Sequence, residues 1–380
     1  MGATMVRFIH SADWQIGMTR HFLSPEAQSR YSEARLEAIR RIAELAARES
    51  CDFVVVAGDV FESNLLDRQV VVRALDALAT VEVPVFLLPG NHDPLLSAGS
   101  LWDSPSFLGR CPPQVVVLRD DRPVAVPGCA AEVVGAVWPT KRPVEDLVAR
   151  ALSRLEPIES ARILVGHGAI DEQSPDAGNL SLISLARADQ AIRDGLVQYI
   201  ALGDRHSVTE VGSTGRIWYS GTPLVTDYDE VAPNRILLVS LDVEECSVEQ
   251  LEVGDWTFRQ HRFDLDDDVA GVDRWLEELP DKRRCVVKAS FVGTLSLGAK
   301  VRLDQLLDEH RDLLAALEVW DRHTDLAVMP SEEEIGDPGF GGFVETTLEE
   351  LKDLAGAGDD KAGTAQDALS LLFRLAGGGS

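Results

Sequence analysis

Short apolar runs, four of the five followed by a glycine just before a polar residue that can bind a metal, constrain this chain more than any other feature. Phe53 to Ala57 leads into Gly58-Asp59-Val60-Phe61-Glu62, and Val83 to Leu88 leads into Gly90-Asn91-His92-Asp93. Val6 to His10 precedes Asp13-Trp14-Gln15, Ile163 to Val165 precedes Gly166-His167, and Tyr199 to Leu202 precedes Gly203-Asp204-Arg205-His206. The runs are rich in Val and Ile and too short for helices, so they read as buried strands. Between them, Ser32 to Glu49 carries a helical stripe at Leu36, Ile39, Ala43 and Ala46, and Asp67 to Ala79 is a second helical stretch. Phe53 to Leu88 is therefore a βαβ unit, and open α/β sheets place their sites at the carboxyl ends of the strands. Further strands are expected at Val115–Leu118, Val133–Val137, Ile217–Tyr219 and Ile236–Leu241. Together they imply two sheets flanked by helices.

Carboxylates, an amide and imidazoles delivered from successive strand ends suit a site for two divalent ions, because one bridging carboxylate with mixed nitrogen and oxygen ligands can hold a pair ~3.5–4 Å apart. Asp59 follows the most strand-like run and is the best candidate for the bridge. The Asn91 side-chain oxygen can ligate one ion. His92 can stand off the metals and protonate a leaving oxygen, with Asp93 available to orient its ring. His167 and His206 follow strands and supply imidazole ligands. Arg205 and Arg142 can pair with phosphate, and Trp14 can stack on a base or sugar or else pack beneath the site.

Beyond residue 255 the pattern becomes a small βαβαβ unit: strand Thr257–Leu265, helix Val269–Leu279, strand Cys285–Val292, helix Leu303–Leu317 and strand Val319–Val328. Three divisions follow, 1–255, 256–329 and 330–380. The last is a Pro/Gly/Glu-rich linker with two short helices. One is capped at Thr346 or Thr347; the other runs from Thr364 with Leu369, Leu372, Phe373 and Ala376 on one face, to pack back on the body or to dock on a partner. Gly377 to Ser380 reads as a flexible end.

With 380 residues, 45% hydrophobic content and mean hydropathy of −0.03, the chain is globular. No apolar run approaches the roughly 18 residues of a membrane span and no signal peptide is visible, so a cytoplasmic protein is expected. The five cysteines lie far apart without a Cys-x-x-Cys pair, which indicates neither a thiolate zinc site nor a disulfide framework. The net charge of −27 opposes nucleic acid, whose binding draws affinity from Lys and Arg. Part of that charge is remote from the motifs, since the segment from Leu326 onward holds 11 acidic and 3 basic residues.

The five strand-end motifs, in this order, resemble the calcineurin-like metallophosphoesterase superfamily, and within it the SbcD-type nuclease subunit of the double-strand-break repair complex. Ile200-Ala201-Leu202-Gly203 and Trp218-Tyr219-Ser220-Gly221-Thr222-Pro223, followed by acidic Asp227 to Glu230, resemble that branch. The resemblance spans residues 6 to about 242 and implies a four-layer α/β (α+β) sandwich with a βαβαβ DNA-binding cap. It implies one metal on Asp13, Gln15, Asp59 and His206, a second on Asp59, Asn91, His167 and Asp204, and His92 as the catalytic histidine. Gln15 and Asp204 stand where the family usually has histidines. Both keep an oxygen donor, which favours hard ions such as Mn²⁺ or Mg²⁺. Glu62 is given no role.

The implied activity is hydrolysis of DNA phosphodiester bonds alongside an SbcC-type coiled-coil ATPase docked on the terminal helices. A homodimer is expected by family analogy alone. Two other functions fit the same residues: a small-molecule phosphodiesterase or phosphatase, which needs a closed pocket, and a binding scaffold with a degraded metal site.

Overall fold

Strands buried on both faces need apolar residues at every position rather than at alternate ones, and this is how the Val-rich runs are used. The computed structural model describes residues 5–173, 178–329, 343–357, 361–365 and 367–369. They form two compact units, Met1–His21 with Gln28–Trp256 and Phe22–Ala27 with Thr257–Ser380.

In chain order the first unit contains β1 (Val6–Ser11), most of α1 (Pro25–Arg48), β2 (Phe53–Val56), α2 (Arg68–Leu78), β3 (Val85–Leu87), α3 (Pro105–Leu108) and β4 (Val115–Val117). Then follow β5 (Val124–Ala125), β6 (Ala131–Gly135), α4 (Leu147–Leu152), β7 (Ala161–His167), α5 (Leu185–Arg193) and β8 (Tyr199–Gly203). The unit ends with β9 (Val208–Val211), β10 (Ile217–Ser220), β11 (Arg235–Leu241) and β12 (Cys246–Glu252). One sheet runs β12-β11-β1-β2-β3-β4 and the other β5-β6-β7-β8-β10-β9. The strands β1 to β4 are mutually parallel, as are β6, β7 and β8, so their carboxyl ends align.

The period-2 alternation of strand side chains sorts the residues into layers. Phe8, Phe53, Val55 and Phe86 point between the sheets to meet Val133, Ile163, Val165 and Tyr199. Ile9, Val54, Val56 and Val85 face the other way, onto Leu36, Ile39, Ala74 and Leu75 of α1 and α2. Leu164, Ile200 and Leu202 pack outward on Val148 and Ala151 of α4 and Ala188 of α5. The result is a four-layer helix–sheet–sheet–helix sandwich.

The helix expected from Ser32 begins earlier, at Pro25. The Ser24 hydroxyl accepts the Ala27 amide at 3.2 Å and Pro25 opens the first turn, an arrangement that starts helices ahead of their apolar stripe.

The second unit has a four-stranded parallel sheet built from β13 (Thr257–Asp266), β14 (Cys285–Leu295), β15 (Ala316–Val319) and β16 (Asp325–Val328). Helices α6 (Ala270–Glu277) and α7 (Leu297–Arg311) share its apolar core through Val272, Leu276, Leu303 and Leu307. The expected helix through Leu317 and single strand Val319–Val328 are corrected here. The helix ends at Arg311, the Ala315 amide bonds the Cys285 carbonyl at 3.0 Å, and two short strands share one edge of the eleven-residue β14.

Thr346 and Thr347 sit inside α8 (Phe343–Gly356), as its fourth and fifth residues, rather than capping it. Leu369 is buried with Leu297 and Val328, so this part of the tail packs back on its own unit. Leu372, Phe373, Ala376 and Gly377 to Ser380 lie outside the described residues. Among the described residues, no helix is long and apolar enough to cross a membrane.

Candidate metal centre

The loops leaving β1, β2, β3, β7 and β8 meet above the parallel strand ends. Asp13, Gln15, Asp59 and Asp204 adopt left-handed φ angles of 53°, 43°, 49° and 95°, a backbone strain of about 1–3 kcal/mol each that persists where the surroundings impose it. The loops are laced together: the Asp13 amide donates to the Gly58 carbonyl at 3.1 Å and the Gln15 amide to the Asp59 carbonyl at 2.9 Å. The Asp204 amide donates to both carboxylate oxygens of Asp13, at 3.1 and 3.0 Å. Gly58 is required twice over. Its φ is +89°, and a Cβ there would lie 2.2 Å from His167 Nδ1.

Ligand atoms of Asp13, Asp59 and His167, all buried, lie within 4.8 Å of one another. His167 Nδ1 is 2.9 Å from the Ala57 carbonyl, which can only accept, so Nδ1 carries the proton and Nε2 faces the centre. Nε2 is 2.7 Å from Asn91 Oδ1, 3.4 Å from Asp59 Oδ2 and 3.8 Å from Asp204 Oδ1. Three oxygens converging on one imidazole nitrogen demand positive charge between them. The electrostatics of the cluster make the same demand. Burial opposes an imidazolium at His167, yet Asp59, Asp13 and Asp204 raise its pKa well above the ordinary value. Burial pushes Asp13 up to about 7, against the pull of His206 and His167. Burial acts the same way on Asp59, but there His167 and His92 win and lower it. A divalent cation satisfies this demand.

Beside this cluster, Gln15 is 4% exposed and its Oε1 is buried without a hydrogen-bond partner, a cost of about 1–3 kcal/mol unless something else takes it. Gln15 Nε2 is 3.4 Å from His206 Nε2, which lies 4.0 Å from Asp13 Oδ1. The orphaned oxygen and the imidazole edge fit a cation between Asp13, Gln15 and His206. All seven residues expected as ligands therefore come together.

The flanking expectations are partly corrected. Asp93 does not orient His92: its buried carboxylate accepts the Phe61 amide at 2.9 Å and the Gly90 amide at 2.7 Å, tying the two loops together. Glu62 takes the orienting position instead. Its carbonyl is 3.1 Å and its carboxylate 3.6 Å from His92 Nδ1, and the His92 amide donates to Asp59 Oδ1 at 2.9 Å. The Glu62 carboxylate is the main reason the His92 pKa rises to about 9, with Asp59 adding to it against desolvation. Trp14 faces the core. It is 2% exposed within the outer core and its Nε1 donates to Ser11 Oγ at 2.8 Å, because the loop turns the indole inward.

Asn91 and Asp204 also line an open depression of about 410 Å³ together with Trp138, Lys141 and Arg142. Lys141 was missed by sequence reasoning; the signal was a Lys-Arg pair just after a strand in an acidic chain. Arg205 is exposed and its Nε donates to Thr209 Oγ1 at 2.9 Å, outside that lining.

Comparison with known proteins decides the family. The calcineurin-like phosphoesterase family model matches residues 6–208, more than half of the chain and every strand-end motif. The chain belongs to this family. Members are metal-dependent phosphoester hydrolases, and the centre described above is a candidate divalent-metal site. The chain is similar to the SbcD component of the SbcCD nuclease of Escherichia coli K12, with 26% identity over 73% of this chain and 74% of that protein. It is also similar to the DNA double-strand break repair protein Mre11 of Archaeoglobus fulgidus, 30% identical over 44% of this chain and 39% of that one. Mre11 of Saccharolobus solfataricus is 25% identical over 53% and 50%.

Proposed function

We propose that this phosphoesterase is a DNA nuclease holding two divalent ions, one on Asp13, Gln15, Asp59 and His206 and the other on Asp59, Asn91, His167 and Asp204. The observation that carries the nuclease reading is the open depression in which the metal-facing Asn91 and Asp204 share a wall with Lys141 and Arg142. A polymer can lie in such a depression with one phosphate at the metals and a neighbouring one on the cations. The similarity to SbcD along three quarters of the chain supports the same substrate. Oxygen-rich ligation supports Mn²⁺ or Mg²⁺.

When bound, such a pair of ions makes water a nucleophile at neutral pH and offsets charge on the phosphoryl oxygens. The chain's own residues supply the rest. Glu62 holds His92 by Nδ1 and keeps the ring protonated, so Nε2 can donate to the leaving oxygen. Asp93 fixes the Gly90 loop that carries both Asn91 and His92. Lys141 and Arg142 hold a flanking phosphate. An SbcC-type ATPase is the proposed partner, with α8 and its neighbours as the docking segment.

The net charge of −27 favours a second reading, a phosphodiesterase for small esters. Mn²⁺-dependent hydrolysis of linear DNA and of bis-p-nitrophenyl phosphate, with wild type beside Asp59→Ala and His92→Ala, separates the two. Loss of DNA cleavage in both variants supports the nuclease. Cleavage of the ester alone, even with the ATPase present, supports the second reading.

A further inference from the structure

The far side of His206 meets an acid within hydrogen-bond reach. Its Nδ1 lies 2.5 Å from Thr226 Oγ1 and 3.2 Å from Glu230 Oε1. The Thr226 hydroxyl in turn donates to Glu230 Oε1. The Glu230 side chain is 5% exposed. Its carboxylate is further anchored by the backbone amides of Thr226, at 3.0 and 3.1 Å, and of Asp227, at 3.0 Å. The carbonyls of the same loop are tied down by buried or half-buried donors: Arg20 reaches the Thr226 carbonyl, and the Tyr31 hydroxyl donates to that of Val225 at 2.6 Å. The carboxylate is thus fixed before any ligand arrives.

We propose that Glu230, directly and through Thr226, is a positioning residue for the metal site that contains Gln15. This rests on the two-ion reading above. A carboxylate accepts and never donates, so it keeps the His206 proton on Nδ1 and leaves the Nε2 lone pair towards Asp13 and Gln15. It also raises the basicity of the imidazole as a ligand. The need is specific to this chain. Glutamine is a neutral, weak donor, and the site that contains it draws more of its affinity from its only imidazole. His167 at the other site is held at Nδ1 by a backbone carbonyl instead, the Ala57 oxygen at 2.9 Å.

The test is calorimetric titration of the full chain with Mn²⁺, which needs no turnover. Wild type should show two binding events, and Asn91→Ala should weaken one of them. Glu230→Gln and Thr226→Val should weaken the other by ~10–100-fold, the usual effect of losing such a partner, while Thr226→Ser restores it. Thr226→Val keeps the amide bonds to Glu230, so a carboxylate that merely caps its own loop predicts unchanged Mn²⁺ affinity in that variant, and this result overturns the proposal. Equal weakening of both events also overturns it. Failure of wild type to bind Mn²⁺ removes the two-ion reading itself and the proposal with it.

Discussion

Gly90→Ala isolates how closely activity depends on the place of Asp59. A Cβ built on Gly90 would lie 2.2 Å from Asp59 Oδ1 and 2.4 Å from its amide nitrogen, whereas ordinary contact begins near 3.4 Å. The backbone of Gly90 is not in the left-handed region, so alanine brings no conformational strain of its own. Because one of the two contacts is backbone, rotation of the Asp59 side chain cannot relieve it, and the two loops must part by about 1 Å. Displacement of a reacting group by ~1 Å costs ~10²-fold in rate, about 2.7 kcal/mol of barrier. Overpacking of a close core contact costs about 1–3 kcal/mol in stability. Steady-state hydrolysis of bis-p-nitrophenyl phosphate in Mn²⁺ should therefore show kcat/KM about a hundredfold lower, with a folded protein by circular dichroism and a lowered midpoint of denaturation. Wild-type kcat/KM together with wild-type stability would show that the Asp59 position is not set by this contact.

Other residues give separate expectations. His10 is fully buried between the sheets and burial drives its pKa down to about 3, partly offset by the Leu202 carbonyl. The unfolded chain then takes up a proton below about pH 6.5 that the folded chain refuses, so this residue's contribution to stability falls as pH drops through that window by about 1.4 kcal/mol per unit. Denaturant titrations should give a wild-type loss between pH 6.5 and 5 that exceeds that of His10→Gln by ~2 kcal/mol, and parallel pH profiles would refute it. Lys141→Ala with Arg142→Ala should lower kcat/KM on DNA and flatten its salt dependence by about two phosphate contacts, leaving the small ester unaffected; equal losses on both substrates would place these residues at the metals. Trp14→Phe should cost about 1–3 kcal/mol of stability through lost packing and the Ser11 bond, with no change in KM for DNA; a raised KM with unchanged stability would restore the stacking role.

Much of the candidate site was legible because strand-end residues are local in sequence. A buried strand needs a continuous apolar run, the chain must turn at its end, and Asp13, Asp59, Asn91, His167 and Asp204 each follow such a run directly. The partners of those residues were not legible, because they are set by where distant loops meet. Asp93 looked like a partner for its neighbour His92, yet Phe61 and Gly90 claim its carboxylate and Glu62, 30 residues upstream, takes the ring. Glu230 reaches His206 across 24 residues. In the fold, β5 has only two residues and β12 exposes Ser247, Glu249, Gln250 and Glu252 among half-buried Cys246, Val248 and Leu251, so neither makes an apolar run. The boundary between α7 and β15 was misplaced because the apolar stretch Leu313 to Leu317 fits either period, and pairing with β14 decides it.

Anomalous diffraction from crystals soaked in Mn²⁺ tests the central claim most directly. Two peaks ~3.5–4 Å apart on either side of the Asp59 carboxylate are expected, one beside Gln15 and His206, the other beside Asn91 and His167. A single peak at His167, or none at the strand ends, would contradict a two-ion phosphoesterase.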